Sequence, residues 1–226
     1  MTQASNGSIG AFFDVDGTLL DTTIVHFYAR LMTARMSRLG SACWTAAFVP
    51  RLPVFLAVDR VSRTRFNTMF YRLYRGRDAG QTREDADGIV PGYATTKLYA
   101  DAGEAIRRHI DDGHTVVLVT GTADFVARPI AGLLGVDDVL ATELAENDGC
   151  FTGEIIGDPL SGDAKARAVV EFAERRGIEV SRSYAYGDST ADADMLAVVG
   201  NPVAVNPSRR MARQAAQRGW DIRAWS

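Results

Sequence analysis

Asp14 and Asp16 stand one residue apart where an apolar run ends: Gly10-Ala11-Phe12-Phe13-Asp14-Val15-Asp16-Gly17-Thr18. The run has the composition of a buried strand, stops at a carboxylate, and turns at Gly17. Such an ending presents both acids at the carboxyl edge of a sheet, where open α/β sheets hold their ligands. Two carboxylates that close repel unless a cation lies between them or one keeps a proton. The first arrangement suits a hard divalent ion with oxygen ligands, most naturally Mg²⁺. The second divides the work between a nucleophile and an acid/base. A strand closing in an ordinary Asp-Gly turn would read the same in isolation.

Three more polar clusters fall at strand ends or helix starts. Thr120-Gly121-Thr122 follows the run Thr115-Val116-Val117-Leu118-Val119; read as the end of a strand opening a helix, it offers a hydroxyl and free N–H groups to a phosphate, or an ordinary N-cap. Lys165 begins a helical pattern, where a cation opposes the helix dipole and calls for an anion partner. Gly187-Asp188-Ser189-Thr190-Ala191-Asp192 closes another apolar run. A helical turn there would set Asp188 and Asp192 on one side to complete a metal shell. Each cluster has a plain structural reading, but their succession, acid pair, hydroxyl, lysine and acid pair, is hard to obtain from turns alone.

These residues need a sheet to assemble them. From about Val116 onward, short β-branched runs alternate with helical patterns, implying right-handed βαβ units and a doubly wound parallel α/β sheet. Phe151 to Ile156 reads as a small hairpin or edge strand. Residues 22–91 break the rhythm with helical spacing throughout, as in Phe27, Leu31 and Ala34. A crossover needs only about a dozen residues, so this stretch reads as a helical insertion hinged beside the acid pair, leaving near residues 21–23 and returning near Pro91–Gly92. The expected organisation is a core of residues 1–21 and 92–226 with a helical cap of residues 22–91.

With 226 residues, 46% hydrophobic and 23% charged, the chain has an ordinary globular composition. Its net charge of -3 gives no argument for nucleic acid. Cys43 and Cys150 lie far apart, without a zinc or disulfide pattern, and His26, His109 and His114 have no metal spacing. The polar first residues do not resemble a secretory leader, so the expected location is cytoplasmic. Residues 42–58 are nearly all apolar, but Pro50, Arg51 and Pro53 interrupt them and they are short for a bilayer span. They read as a buried or interfacial helical hairpin rather than a membrane span. Arg60, Arg63, Arg65, Arg72, Arg75 and Arg77 form either a solvated face or a grip on a substrate carboxylate or second phosphate.

The four clusters together resemble the haloacid dehalogenase superfamily: Asp14-Val15-Asp16-Gly17-Thr18, Thr120, Lys165 and Gly187 through Asp192 match its four motifs, and the insertion lies where its helical C1-type cap belongs. Asn201 through Pro207 followed by Arg218-Gly219-Trp220 looks like the subfamily of phosphoserine phosphatases and their IB-type relatives. The resemblance implies a Mg²⁺-dependent phosphomonoester hydrolase acting on a small phosphorylated metabolite. Asp14 would be the nucleophile that forms an aspartyl-phosphate, and Asp16 the general acid/base. It also implies metal ligation by Asp14, the Asp16 carbonyl, Asp188 and Asp192, with Thr120, the Gly121 N–H and Lys165 on the phosphoryl group. Thr18 and Thr23 are further candidates at the substrate, Thr18 more as a brace of the turn.

Two departures stand out. Phosphoserine phosphatases carry a glutamate nine residues after the nucleophile, where this chain has Thr23, and an asparagine where it has Ala191. The first counts against L-phosphoserine. An apolar phosphomonoester of the lysophospholipid type is the alternative substrate, left open by residues 42–58. From other classes, a phosphoacceptor receiver domain would separate its acid pair from its acceptor in a shorter chain. A non-catalytic phosphate binder would lose a motif aspartate, and a phosphomutase would need a sugar bisphosphate. The expected assembly is a monomer or homodimer.

Overall fold

A computed structural model describes residues 7–226 of the chain, so most of the polar start read as unlike a leader lies outside the described residues. Strand β1 (Gly10–Phe13) is wholly buried, and its side chains divide between two apolar layers. Phe12 joins Val117, Val119, Ala185 and Ala204 on one face of the sheet, and Phe13 joins Val116, Leu118, Tyr186 and Val203 on the other. Strands covered by helices on both faces read as continuous apolar runs rather than alternating ones.

β1 pairs in parallel with β2 (Thr115–Ala123) and with β6 (Tyr184–Gly187). β3 (Asp138–Thr142), β7 (Asn201–Val205) and β8 (Asp221–Arg223) complete a six-stranded parallel sheet in the order β3-β2-β1-β6-β7-β8. The doubly wound parallel sheet is therefore present. Helices α8 (Asp163–Arg176), α9 (Ala193–Ala197) and α10 (Arg209–Arg218) cover the Phe12 face, while α6 (Ala100–Asp111) and α7 (Asp124–Leu134) cover the Phe13 face. β3 and β8, which the sequence does not announce, are an interior-poor strand and a fully exposed edge strand. The stretch around Phe151 is a true hairpin, β4 (Leu144–Asn147) with β5 (Cys150–Ile155).

Phe13 stacks on Tyr186, ring centroids 4.3 Å apart, locking the strand that carries Asp14 onto its neighbour. The Tyr186 hydroxyl lies 2.8 Å from His109 Nε2, and His109 Nδ1 lies 2.8 Å from His114 Nδ1. Burial and the adjacent His114 push the His109 pKa down to about 4, so the His109 imidazole is a neutral strut under the sheet.

The residues between β1 and α6 form α1 (Ile24–Thr33), α2 (Arg38–Phe48), α3 (Leu52–Val61), α4 (Arg63–Tyr71) and α5 (Ala79–Thr95). Two details differ from the sequence reading. Residues 42–58 are not a hairpin. A 3₁₀ turn over Val49–Arg51 joins α2 to α3, and the helical stretch Arg38–Val61 runs on for 24 residues. Pro50 and Pro53 each sit in the first turn of the segment they begin, where a missing N–H costs nothing. Nor does the chain leave the insertion at Pro91–Gly92, because α5 carries Pro91 inside it and ends only at Thr95. The exit and return meet instead where Asp21 N donates to the Lys97 carbonyl at 2.9 Å and Leu20 bridges to Leu98.

The inserted helices hold together through rings. Tyr28 contacts Phe48, Phe70 and Tyr74 at centroid distances of 5.1–5.5 Å, and Phe55 contacts Phe66 and Phe70 at 6.2 and 5.6 Å. Each ring buried this way contributes about 1.5–3 kcal/mol. The stretch Arg38–Val61 uses one face for this packing, only 11% of its apolar 18-residue window is buried, and by length and composition it could cross a bilayer.

Candidate active site

The carboxyl edges of β1, β2 and β6 converge on a small cavity of about 30 Å³, enough for one or two water-sized groups. Asp14 enters it directly off β1, its N–H tied to the Tyr186 carbonyl at 3.0 Å. Beyond it the chain coils tightly: the Val15 carbonyl accepts from Leu19 and Leu20 at 2.9 and 3.0 Å, and Gly17 N donates back to the Leu20 carbonyl at 2.8 Å. This coil brings Asp16 to the same cavity as Asp14, although acids two apart on a regular strand would face opposite ways.

Gly17 makes the coil possible, with φ at +87° and its α-carbon against Asp188: an added Cβ would lie 2.7 Å from an Asp188 oxygen. We expect Gly17→Ala to combine backbone strain with displacement of a motif carboxylate and to lower kcat/KM about a hundredfold or more. Its thermal melt should fall only modestly, and unchanged kinetics would show that the coil is not what places Asp188.

Lys165, in the first turn of α8, is buried and donates to one oxygen of Asp14 at 2.5 Å and one of Asp192 at 2.6 Å. Asp188 and Asp192 also meet at the cavity, but not on a helical turn. Residues 188–192 are turns and bends, with Asp192 the N-cap of α9. Ser189 fixes Asp192 through its N–H and hydroxyl, at 3.1 and 2.8 Å from the second carboxylate oxygen. Asp14, Asp188 and Asp192 each offer an oxygen within 4.8 Å of the others.

Burial, then the Asp192 charge, raises the Asp14 pKa to about 7 against the pull of Lys165. Asp188 is also held well above the usual carboxylate range, by burial first and then by Asp192 and Asp14. Asp192 moves the other way, because Lys165 and the Ser189 hydrogen bonds outweigh its burial. Four carboxylates line the cavity, while Lys165 and Arg63 are its cations. The donors are hard oxygens, and their charge exceeds that of the two cations, so the residues fit a small divalent ion.

Asp16 lies outside that three-acid cluster, with its oxygens accepting from Thr22 Oγ1 at 2.8 Å and Thr122 Oγ1 at 2.5 Å. Thr120 and Gly121 do not start a helix: β2 continues through them, out of register between Val119 and Ala123, and α7 begins only at Asp124. A bulged strand edge, not a helix N-terminus, thus presents them. Thr120 Oγ1 accepts from Thr122 N at 3.1 Å, leaving its own proton to donate. Thr18 is buried outside the cavity lining, and its hydroxyl has no hydrogen-bond partner. That hydroxyl therefore makes no hydrogen-bonded brace of the turn among the described residues. Thr23 lines the cavity and caps α1, with its N–H donating to His26 Nδ1 at 3.1 Å.

The far wall comes from α4. Among the six clustered arginines only Arg63 lines the cavity, paired with Asp59 at 3.0 Å. Burial opposes its charge, but Asp59, Asp192, Asp16 and Asp14 strengthen it, and its pKa rises. Arg72 and Arg75 face Gly153 of the hairpin instead. Asn67 lines the cavity beside Arg63, the Tyr71 hydroxyl donates to the Gly121 carbonyl at 2.7 Å, and Thr64 and Ser161 hydroxyls meet at 2.8 Å. Arg63, Asn67 and Tyr71 recur every four residues, a polar stripe on one helix face that could have been read from the sequence. Thr122 and Ser189 were legible only as members of the polar clusters, and Thr22 lay outside them.

The model of the haloacid dehalogenase-like hydrolase family matches residues 11–197, a span holding every one of these groups. The chain belongs to that family. Among relatives of this hydrolase family, a Streptomyces azureus protein named for inhibition of morphological differentiation is 37% identical over 220 residues, covering 94% of this chain and 76% of its own. A Mycobacterium tuberculosis protein named phosphoserine phosphatase is 34% identical over 218 residues, covering 94% and 70%. A solved Bordetella pertussis structure, titled as a protein with unknown function, superposes with a TM-score of 0.78 at 25% identity over 95% of this chain and 98% of that one. An apo phosphoserine phosphatase structure gives 0.66 at 20%, over 95% and 92%. The likeness to the latter is one of fold. This chain is thus a haloacid dehalogenase-like hydrolase, and of the two relatives the Mycobacterium tuberculosis one carries the name phosphatase.

Proposed function

We propose that the protein is a Mg²⁺-dependent phosphomonoester hydrolase that works through an aspartyl-phosphate on Asp14. The observation that carries this reading is the convergence of three carboxylates within 4.8 Å of one another, one of them the buried Asp14 held by Lys165. Asp14, Asp188 and Asp192, with the Asp16 carbonyl, would hold the ion, which when bound offsets phosphoryl charge and aligns the ester.

The protein's own groups do the rest. An Asp14 oxygen attacks phosphorus as the bond to the leaving alcohol breaks, and Asp16 gives its proton to the departing alcohol oxygen. Asp16 then takes a proton from the water that attacks the aspartyl-phosphate, releasing phosphate and restoring Asp14. Thr22 and Thr122 orient Asp16 for both transfers, since their hydroxyls bind its two oxygens. The free Thr120 proton, the Gly121 N–H and Lys165 face the phosphoryl oxygens. The inserted helices act as a cap: α4 closes the cavity with Arg63 and Asn67, while Thr64 and Tyr71 bond to the core edge.

The test is hydrolysis of a phosphomonoester panel, including p-nitrophenyl phosphate, with and without Mg²⁺. Turnover of none of them would end the proposal. Although a relative carries the name phosphoserine phosphatase, Thr23 stands at the cavity where a glutamate would reach an amino group. We therefore expect weak use of L-phosphoserine, and a gain of about tenfold or more in Thr23→Glu for that ester relative to p-nitrophenyl phosphate. A high wild-type kcat/KM for L-phosphoserine would overturn the reading of Thr23.

A further inference from the structure

A second cavity, of about 370 Å³, lies among the inserted helices between α1, the stretch Arg38–Val61 and α4. It shares Thr23 and Arg63 with the phosphoryl cavity, so the two spaces meet at those residues. Its size falls in the range of small-molecule sites, whereas the phosphoryl cavity has room for little beyond the reacting group. A bound ester must put its alcohol somewhere, and this is the space adjoining it.

The lining is sorted along its length. Thr23, Arg63 and Asp59, which pairs with Arg63, stand at the phosphoryl end, with His26 next to Thr23. Elsewhere Trp44, Phe48, Leu52, Phe55, Leu56 and Phe66 supply rings and branched chains. Val49 and Leu56 are about half exposed although large and apolar, as expected of a wall that opens to a ligand entering from solvent. A groove polar at the phosphate end and apolar beyond is the shape of an amphiphile.

Resting on the proposed phosphomonoester chemistry, we infer that the preferred substrate is a phosphate ester whose alcohol bears an extended apolar chain, with the chain lying in this groove. The phosphoryl group sits over Asp14, polar atoms near the ester meet Arg63 and Thr23, and the chain passes between Trp44 and Leu56. The bond made and the bond broken are those of the proposed hydrolysis, and only the leaving alcohol is specified.

Steady-state kinetics of the intact protein with butyl, octyl and dodecyl phosphate test this, each held below its micelle-forming concentration, with p-nitrophenyl phosphate alongside. We expect kcat/KM to rise at least about a hundredfold from butyl to dodecyl phosphate, carried mainly by KM. Leu56→Asp, which puts a charge in the groove, should flatten that series, while Val54→Asp, on the exposed side of α3 outside the groove, should leave its slope intact. Should Leu56→Asp fail to fold, Ala29→Phe narrows the groove from α1 without adding charge and should flatten the series in the same way. A flat wild-type series with brisk hydrolysis of p-nitrophenyl phosphate overturns the inference and spares the phosphatase. Equal loss of slope in Val54→Asp also overturns it, pointing to a docking face rather than a groove. No hydrolysis of any ester defeats the phosphatase proposal itself.

Discussion

Asp14→Asn should lower kcat at least about 10⁴-fold and abolish the phosphorylated enzyme, because no other group occupies its place at the end of β1. That corresponds to about 5 kcal/mol or more of lost transition-state stabilisation. The fold should survive. In the metal-free protein, burial and Asp192 raise the Asp14 pKa to about 7, so its charged form works against folding. A raised acid contributes stability that is fully present below its ordinary pKa near 4 and is lost as pH climbs towards 7. Asp14→Asn removes that loss, and near neutral pH without metal it should melt no lower than wild type. Asp16→Asn should slow both formation and breakdown of the phosphoenzyme by about 10²–10⁴-fold. Acid quench followed by peptide mapping checks the assignment, and phosphate found on Asp188 or Ser189 would falsify Asp14 as nucleophile.

Removing divalent metal should have an effect of similar size. With excess EDTA, turnover should fall to background, since Asp14, Asp188 and Asp192 gather at a cavity where Lys165 and Arg63 are the only cations among the described residues. Mg²⁺ should restore it. Ca²⁺ should restore less than about a tenth, because its longer and more variable bonds align the nucleophile poorly. A readout independent of turnover is available: Mg²⁺ at about a hundred times its dissociation constant should add about 2.7 kcal/mol to stability. Asp188→Asn should lose most of that gain while keeping its metal-free melt. Full turnover in EDTA, or equal stabilisation of wild type and Asp188→Asn, would remove the ion from this site.

Much of the site is written in local chemistry. Asp14, Asp16, Lys165, Asp188 and Asp192 were legible because each follows or begins an element whose apolar pattern is clear, and an acid or lysine at such a place has few structural reasons to be there. The parallel sheet was legible because β1, β2, β6 and β7 are buried on both faces and so read as unbroken apolar runs. β3 and β8 were not, since edge strands with partial or full exposure carry no such signal.

What only the tertiary structure decided depends on residues far apart in the chain. That β2 passes through Thr120 and Gly121 as a bulge is settled by pairing with β3, not by its own residues. Prolines 50, 53 and 91 read as breaks, yet each is absorbed: two open new helical turns and one is held within α5 by its surroundings. Six arginines were alike in sequence, and only the packing of α4 over the cavity singles out Arg63. Thr22 and Thr122 are a hundred residues apart and meet on the two oxygens of Asp16. The groove beside Arg63 likewise exists only because ring contacts fold the stretch Arg38–Val61 back along α1 and α4. The type and spacing of side chains fixes what chemistry is possible at a strand end; which distant side chains share that space is set by packing, where apolar burial outweighs every local preference.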